Sequence, residues 1–339
     1  MKKAISFLAA TCFLASAQAQ SGDSALLTLV SKDQMPPAIQ GRFDHLGIDM
    51  RGNRLFAAAE TAHQVLVFDL HTGKFLRSIN DIAIPHAIFV REDLDRIYIT
   101  DGGAGALRVY DGHSYALLKT IPLQVDADSI GYDPAIHLLY IDNGGGDAHQ
   151  TFSLLSAVDT TKETKVSDLK IDGSTLEAMA LEKGSSRMFV NNAAKNQVAV
   201  VDRKTNTLIT SWPITKGERN VAMALDEAHH RLFVACRSGE IVVLDTRSGK
   251  ELQSLAIGKG VDDLAFDPAS GRLYAPCGVD GATWVYRQMG ADRYTLLGKV
   301  PSGSGGKNAL LAAPLKRLFV IVPPGGGTPG TVDAFSTGK

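Results

Sequence analysis

The chain has 339 residues, 45% hydrophobic and 7% aromatic, with 35 Lys and Arg against 36 Asp and Glu. That near-neutral balance leaves no broad basic footprint for nucleic acid or an anionic membrane surface, so nucleic acid is not an expected partner. The length would ordinarily suggest two domains, but repeat architectures reach this size as one body.

The first twenty residues, MKKAISFLAATCFLASAQAQ, place two lysines before a short apolar run and a small-x-small step at Ala17-Gln18-Ala19. This pattern predicts a cleavable signal peptide over 1–19 and a periplasmic or secreted mature chain over 20–339. No segment offers the roughly eighteen continuous apolar residues of a membrane-spanning helix, so none is expected. Of three cysteines, Cys236 and Cys277 remain after cleavage, in a compartment that permits disulfides.

ALLTLVS (25–31) reads as a short strand with no neighbour of its own. A unit then recurs: LFAAAETAHQVLVFDLHTGK (55–74), IYITDGGAGALRVYDGHSYA (97–116), LYIDNGGGDAHQTFSLLSAVDTTKET (139–164), MFVNNAAKNQVAVVDRKTNT (188–207) and LFVACRSGEIVVLDTRSGK (232–250). Two degraded copies follow at 273–288 and 318–339, making seven. Each holds an apolar run, a Gly- or Asn-rich break, an alternating run ending near Asp, and a turn. Ahead of each lies another short segment: FDHLGID, HAIFVRE, DSIGYDP, EAMALEK, VAMALDE, DDLAFDP and NALLAAP. Four strands repeated seven times specify an all-β, seven-bladed propeller of antiparallel blades. The last unit lacks a fourth strand, and ALLTLVS is expected to supply it and close the ring, which removes an exposed sheet edge.

The apolar run, break, "VxVID"-like strand and turn resemble the YVTN-repeat, YncE-like seven-bladed propellers of exported bacterial proteins, over essentially the whole mature chain. The eponymous tetrapeptide position reads FAAA, YITD, YIDN, FVNN, FVAC, YAPC and FVIV, with FVNN at 189–192 the nearest to it. The resemblance implies a fold and an exported location but no single activity, because propellers host binding, scaffolding and catalysis alike.

Aligning the seven leading segments gives a column of equivalent positions: Asp44, His86, Asp128, Glu177, Val221, Asp262 and Asn308. The first strand of a blade is innermost, so this column is expected to form a ring at the channel mouth. Asn220 stands next to Val221 and is expected to supply the polar group missing there. The following column, His45, Ala87, Ser129, Ala178, Ala222, Asp263 and Ala309, is mostly small, with His45 and Asp263 standing out. Converging carboxylates repel unless a cation or positively charged ligand lies among them. Asp44, His45, Glu177 and Asp262 are therefore the candidate metal ligands, for Ca²⁺, Mg²⁺, Mn²⁺ or Zn²⁺. The plainer reading is a solvated channel mouth whose Asp and Asn side chains hold turns.

At the ends of the second strands Asp101, Asn143 and Asn192 are expected to extend the polar wall, and Arg42, Arg219, Arg237 and Lys307 lie in or beside loops where they could meet an anion. Cys236 and Cys277 fall at equivalent positions of adjacent blades, too far apart for a disulfide at the ~10 Å sheet spacing, so free thiols are predicted. Asp69, Asp111, Asp159, Asp202 and Asp245 precede turns and are read as turn formers. The pair His229-His230 is read as a surface turn on the opposite face. No nucleophile elbow, HExxH helix, phosphate loop or CxxCH haem attachment is present. Two functions follow: a monomeric binding or scaffold propeller whose top face takes a small molecule, peptide or protein, or a metal-dependent, lactonase-like hydrolase built on the carboxylate and histidine ring.

Overall fold

The computed structural model describes residues 26–338; the segment expected to be a signal peptide, 1–19, lies outside the described residues. Seven four-stranded antiparallel sheets form the blades. Their inner strands are Leu46–Asp49, Pro85–Arg91, Ala127–Asp133, Leu176–Leu181, Asn220–Asp226, Ala265–Asp267 and Asn308–Ala312. Each inner strand contacts the next, and the seventh returns to the first, so the ring is closed. Among the described residues no helix is long and apolar enough to cross a membrane.

Closure works as the unpaired sequence segments imply. Strand Thr28–Gln34 runs antiparallel to Thr331–Ser336 and occupies the outer position of the seventh blade, with Thr28 opposite Ser336 and Gln34 opposite Thr331. Within the described residues the strand begins at Thr28 and extends past Ser31 to Gln34.

Period-two alternation builds the body. In the second strand of blade 1, Phe56 and Ala58 pack toward Ile88, Ile97 and Ile99 of blade 2, whereas Leu55, Ala57 and Ala59 face Phe319 and Ile321 of blade 7. The same division recurs around the ring, giving seven clusters, one between each pair of neighbouring blades. Each fully buried Leu, Ile, Val or Phe contributes roughly 1.5–3 kcal/mol, so stability is spread over the interfaces and not concentrated in one core.

The turn aspartates act as expected: Asp69 Oδ1 accepts the amides of His71 and Thr72, and Asp245 Oδ1 those of Arg247 and Ser248. His229 and His230 do lie in the turn before Arg231, with His229 Nδ1 2.7 Å from Asp226 Oδ2. Both cysteines are free and buried.

At this rim, away from the ring, arginines staple one blade to the next. Arg187 of blade 4 holds both oxygens of Glu182 at 2.6 and 2.9 Å and donates at 2.5 Å to the Thr246 carbonyl of blade 5. Arg91 reaches Thr160 in the same manner, and Arg272 reaches the Thr337 carbonyl.

Candidate functional site

Three of the ring positions owe their inward aim to a backbone irregularity. In blades 2, 3 and 4 the register of the inner strand slips between Pro85 and Ile88, Ala127 and Ile130, and Leu176 and Met179. The residues in each slip are His86-Ala87, Asp128-Ser129 and Glu177-Ala178. A β-bulge of this kind re-aims side chains that a regular strand would send into the blade interfaces. In blade 1, Asp44 and His45 sit just ahead of the strand, where the Asp44 amide donates to the Ala58 carbonyl at 2.9 Å.

Asp44, His86 and Asp128 converge, with one donor atom from each lying within 4.8 Å of the others. His86 Nδ1 is 2.5 Å from Asp44 Oδ2 and 3.9 Å from Asp128 Oδ1. His45 completes the cluster: Nδ1 lies 2.9 Å from Asp263 Oδ1, and Nε2 lies 3.7 Å from both Asp44 Oδ1 and Asp128 Oδ1. Asp128 Oδ1 is buried and makes no hydrogen bond among the described residues.

Electrostatics follow from this crowding. Burial alone would raise Asp44, but His45, His86 and Lys307 outweigh it and hold the carboxyl well below its ordinary range. Burial opposes the charge on His45 also, yet Asp263, Asp44 and Asp128 hold the ring well above 6.5. His86 overcomes its own burial through Asp128 and the Asp44 hydrogen bond and is raised to about 9. Asp128 goes the other way: burial and the Asp44 charge outweigh His86 and lift it to about 6. The carboxylates thus favour the protonated form of both imidazoles, which offsets part of the negative charge gathered there.

The other expected residues divide. Asp262 is buried and locked between Arg237 and Lys307, which neutralise it and hold its pKa down against burial. It is spent in ion pairs, as are Arg237 and Lys307, two of the four cations expected to meet an anion. Glu177 forms no hydrogen bond among the described residues, and burial with the charges of Asp128 and Asp262 pushes it well above the usual carboxylate range. Asn308 sits centrally, its Nδ2 3.2 Å from Asp262 Oδ2 and 3.4 Å from Asp44 Oδ1. Asn220 does not fill the gap at Val221; it pairs with Cys236 in register and donates to Asn191 and to the Gln197 carbonyl, bracing blade 4. Arg219 is exposed, and Arg42 pairs with Glu60 at 2.5 Å.

The polar wall expected from Asp101, Asn143 and Asn192 is not there. Asp101 is fully buried and accepts the Ala83 and Ile84 amides, Asn143 donates to the Ile141 and Leu154 carbonyls, and Asn192 to that of Asp172. These side chains fix loops, because alternation turns the last residue of the second strand away from the bulge. The residue before it faces inward: Thr100 Oγ1 accepts the Ala87 amide at 2.8 Å. In blade 3 that position is Asp142, fully buried, with neither oxygen hydrogen-bonded among the described residues. Burial, then Asp128 and Glu177, push it well above the ordinary carboxylate range. Sequence reasoning missed Asp142; the signal was available one residue before the column inspected.

Several solved structures are similar to the chain in fold. A structure titled Crystal Structure of Mitotic Checkpoint Complex aligns with a TM-score of 0.76 at 14% identity, covering 99% of this chain and 98% of that one. The Kuenenia stuttgartiensis Hydrazine Synthase structure gives 0.70 at 14% identity, covering 84% and 95%, and Structure of U3-55K gives 0.72 at 12%, covering 88% and 97%. At these identities the likeness speaks for the fold alone. No protein-family model and no curated protein matches the chain.

Proposed function

We propose that the protein is an exported propeller of the YVTN-repeat, YncE-like type that binds a divalent cation at the mouth of its central channel and, through it, a small molecule, peptide or protein. The observation that carries this reading is the convergence of Asp44, His86 and Asp128, with one Asp128 oxygen buried and unpartnered. Two carboxylates and an imidazole suit Mn²⁺ or Zn²⁺ better than the all-oxygen shells of Ca²⁺ or Mg²⁺. Three protein ligands leave coordination positions open to an exogenous group. The metal-free funnel balances its charge with protonated His86, so an arriving cation displaces that proton.

The test is calorimetric titration of chelator-treated protein with Mn²⁺, Zn²⁺, Ca²⁺ and Mg²⁺. One site, favouring Mn²⁺ or Zn²⁺ and lost in Asp128→Asn, supports the reading; four flat titrations reject it. The lactonase-like hydrolase remains the second reading, favoured by one observation: Glu177 at the ring has its pKa pushed up by burial and by Asp128 and Asp262, which suits a carboxyl to proton donation. Hydrolysis of model lactones that appears with the metal and is lost in Glu177→Gln would promote it over simple binding.

A further inference from the structure

The rim away from the ring is not the same all the way round. Six blades open their second strand with an arginine, Arg54, Arg96, Arg187, Arg231, Arg272 and Arg317, whereas blade 3 has Leu138 there. In blades 1, 4, 5 and 6 that arginine crosses to the next blade, meeting in turn the Gly112 carbonyl, the Thr246 carbonyl, the Asp292 carboxylate and the Thr337 carbonyl. A second device links some of the same neighbours. Glu92 of blade 2 accepts the Met50 amide of blade 1 at 2.7 Å, and Glu227 of blade 5 accepts the Lys183 and Gly184 amides of blade 4 at 3.0 and 2.6 Å. The equivalent position in blade 4 is Lys183, and the turn of blade 3 beside it opens with Pro134, which has no amide to offer. Between blades 3 and 4, where both devices are missing, the rim opens into a cavity of about 530 Å³.

Its lining joins an apolar wall to a cationic mouth. Tyr132, Pro134, Ala135, Ile136 and Leu181 form the wall, and Ile136 is 50% exposed. Both acids of the lining are already matched: Asp133 Oδ2 lies 2.7 Å from Arg203 Nη1, and Glu182 Oε1 lies 2.6 Å from Arg187 Nη2. Lys183 and Lys204 are exposed and make no ion pair among the described residues. The surplus charge of the lining is therefore positive, and it sits on groups that a ligand can reach. An anion placed at this mouth gains attraction without breaking a buried pair, whereas an ammonium group meets like charge.

We infer that the cleft between blades 3 and 4 binds a small organic monoanion, a carboxylate on a flat apolar body of one or two rings, whose charged group meets Lys183 and Lys204 while the body lies on Tyr132, Pro134, Ile136 and Leu181. The volume is within the range of small-molecule pockets. Lys183 sets the sign of the preference, because blades 2 and 5 carry a glutamate in its place. The site lies at the opposite end of the blades from Asp44, His86 and Asp128 and does not rest on the cation reading.

Three probes that share a body and differ in charge test this: 2-naphthoate, 2-naphthol and 2-naphthylmethylammonium. Titrated at neutral pH and low ionic strength into chelator-treated protein by ligand-observed NMR, they should bind in that order, with 2-naphthoate about three- to tenfold tighter than 2-naphthol and the gap closing as salt rises. Lys183→Glu should remove the preference for 2-naphthoate and leave 2-naphthol unchanged. Ile136→Ser, at a half-exposed position of the wall, should weaken 2-naphthoate and 2-naphthol alike. The inference is overturned if 2-naphthoate does not bind saturably, if 2-naphthol or the ammonium probe binds as well, or if either variant leaves 2-naphthoate affinity as it was. Neither substitution touches the ring, so failure here and failure of the metal titration are separate results.

Discussion

His86 Nδ1 lies 2.5 Å from Asp44 Oδ2 although 42 residues separate them, because each stands at the head of the inner strand of its own blade. The pair marks where the propeller brings chemistry together, and Asp128 from the next blade completes it.

Removing one carboxylate should separate binding from folding. Asp128→Asn keeps the shape and removes one ligand, so Mn²⁺ or Zn²⁺ affinity is expected to fall by more than about tenfold, while the metal-free protein loses less stability than in Asp44→Asn, because burial and Asp44 already oppose the Asp128 charge. Asp44→Asn should lose the same affinity and also destabilise the metal-free protein by roughly 1–3 kcal/mol, because His45 and His86 lose a counter-charge. Calorimetry and thermal melts of both variants provide the check.

The same histidine makes stability depend on pH with a definite sign. His86 is raised from 6.5 to about 9 in the folded protein, so its contribution is fully present below about pH 6.5 and is lost as pH rises through about 9. The metal-free protein should therefore melt progressively lower between pH 7 and pH 9. His86→Gln should flatten that window, and saturating divalent cation should shrink the decline, since the metal replaces the proton. Asp44 acts at the opposite end: its depressed pKa gives stability above about pH 4 that disappears on further acidification.

Far from the ring, Arg187 ties Glu182 to the Thr246 carbonyl of the next blade. Arg187→Ala leaves a buried carboxylate without its partner and is expected to cost roughly 1–3 kcal/mol by denaturant titration, with no change in cation affinity. A neutral result would mean that the blade interfaces alone carry the stability.

Cys236 and Cys277 are both fully buried, and burial pushes each thiol up to about 12. A thiol reagent should therefore label neither in the native protein and both after unfolding. Rapid native labelling would contradict the packing between blades 4 to 6.

The blades were legible because alternation, turn punctuation and sevenfold recurrence agree, and the unpaired 25–31 segment pointed to closure. Equivalent positions in those repeats also put Asp44, His86 and Asp128 in one column, but the metal ligands expected from the sequence were Asp44, His45, Glu177 and Asp262, and only Asp44 of these lies in the converging trio. What could not be read was how each polar residue is spent. Arg237 and Lys307 reach Asp262 across 25 and 45 residues, from loops whose path no local pattern sets. Bulges at the inner strands reassign which residues face inward, so Asp101, Asn143 and Asn192 became loop braces while Asp142 turned toward the channel. A single-residue difference in phase decided each case.

The most direct measurement is anomalous X-ray diffraction from crystals of the protein grown with Mn²⁺ or Zn²⁺. The account requires one strong peak about 2.0–2.3 Å from donor atoms of Asp44, His86 and Asp128. A channel mouth with no peak at metal saturation, or a peak held instead by surface residues, would contradict it.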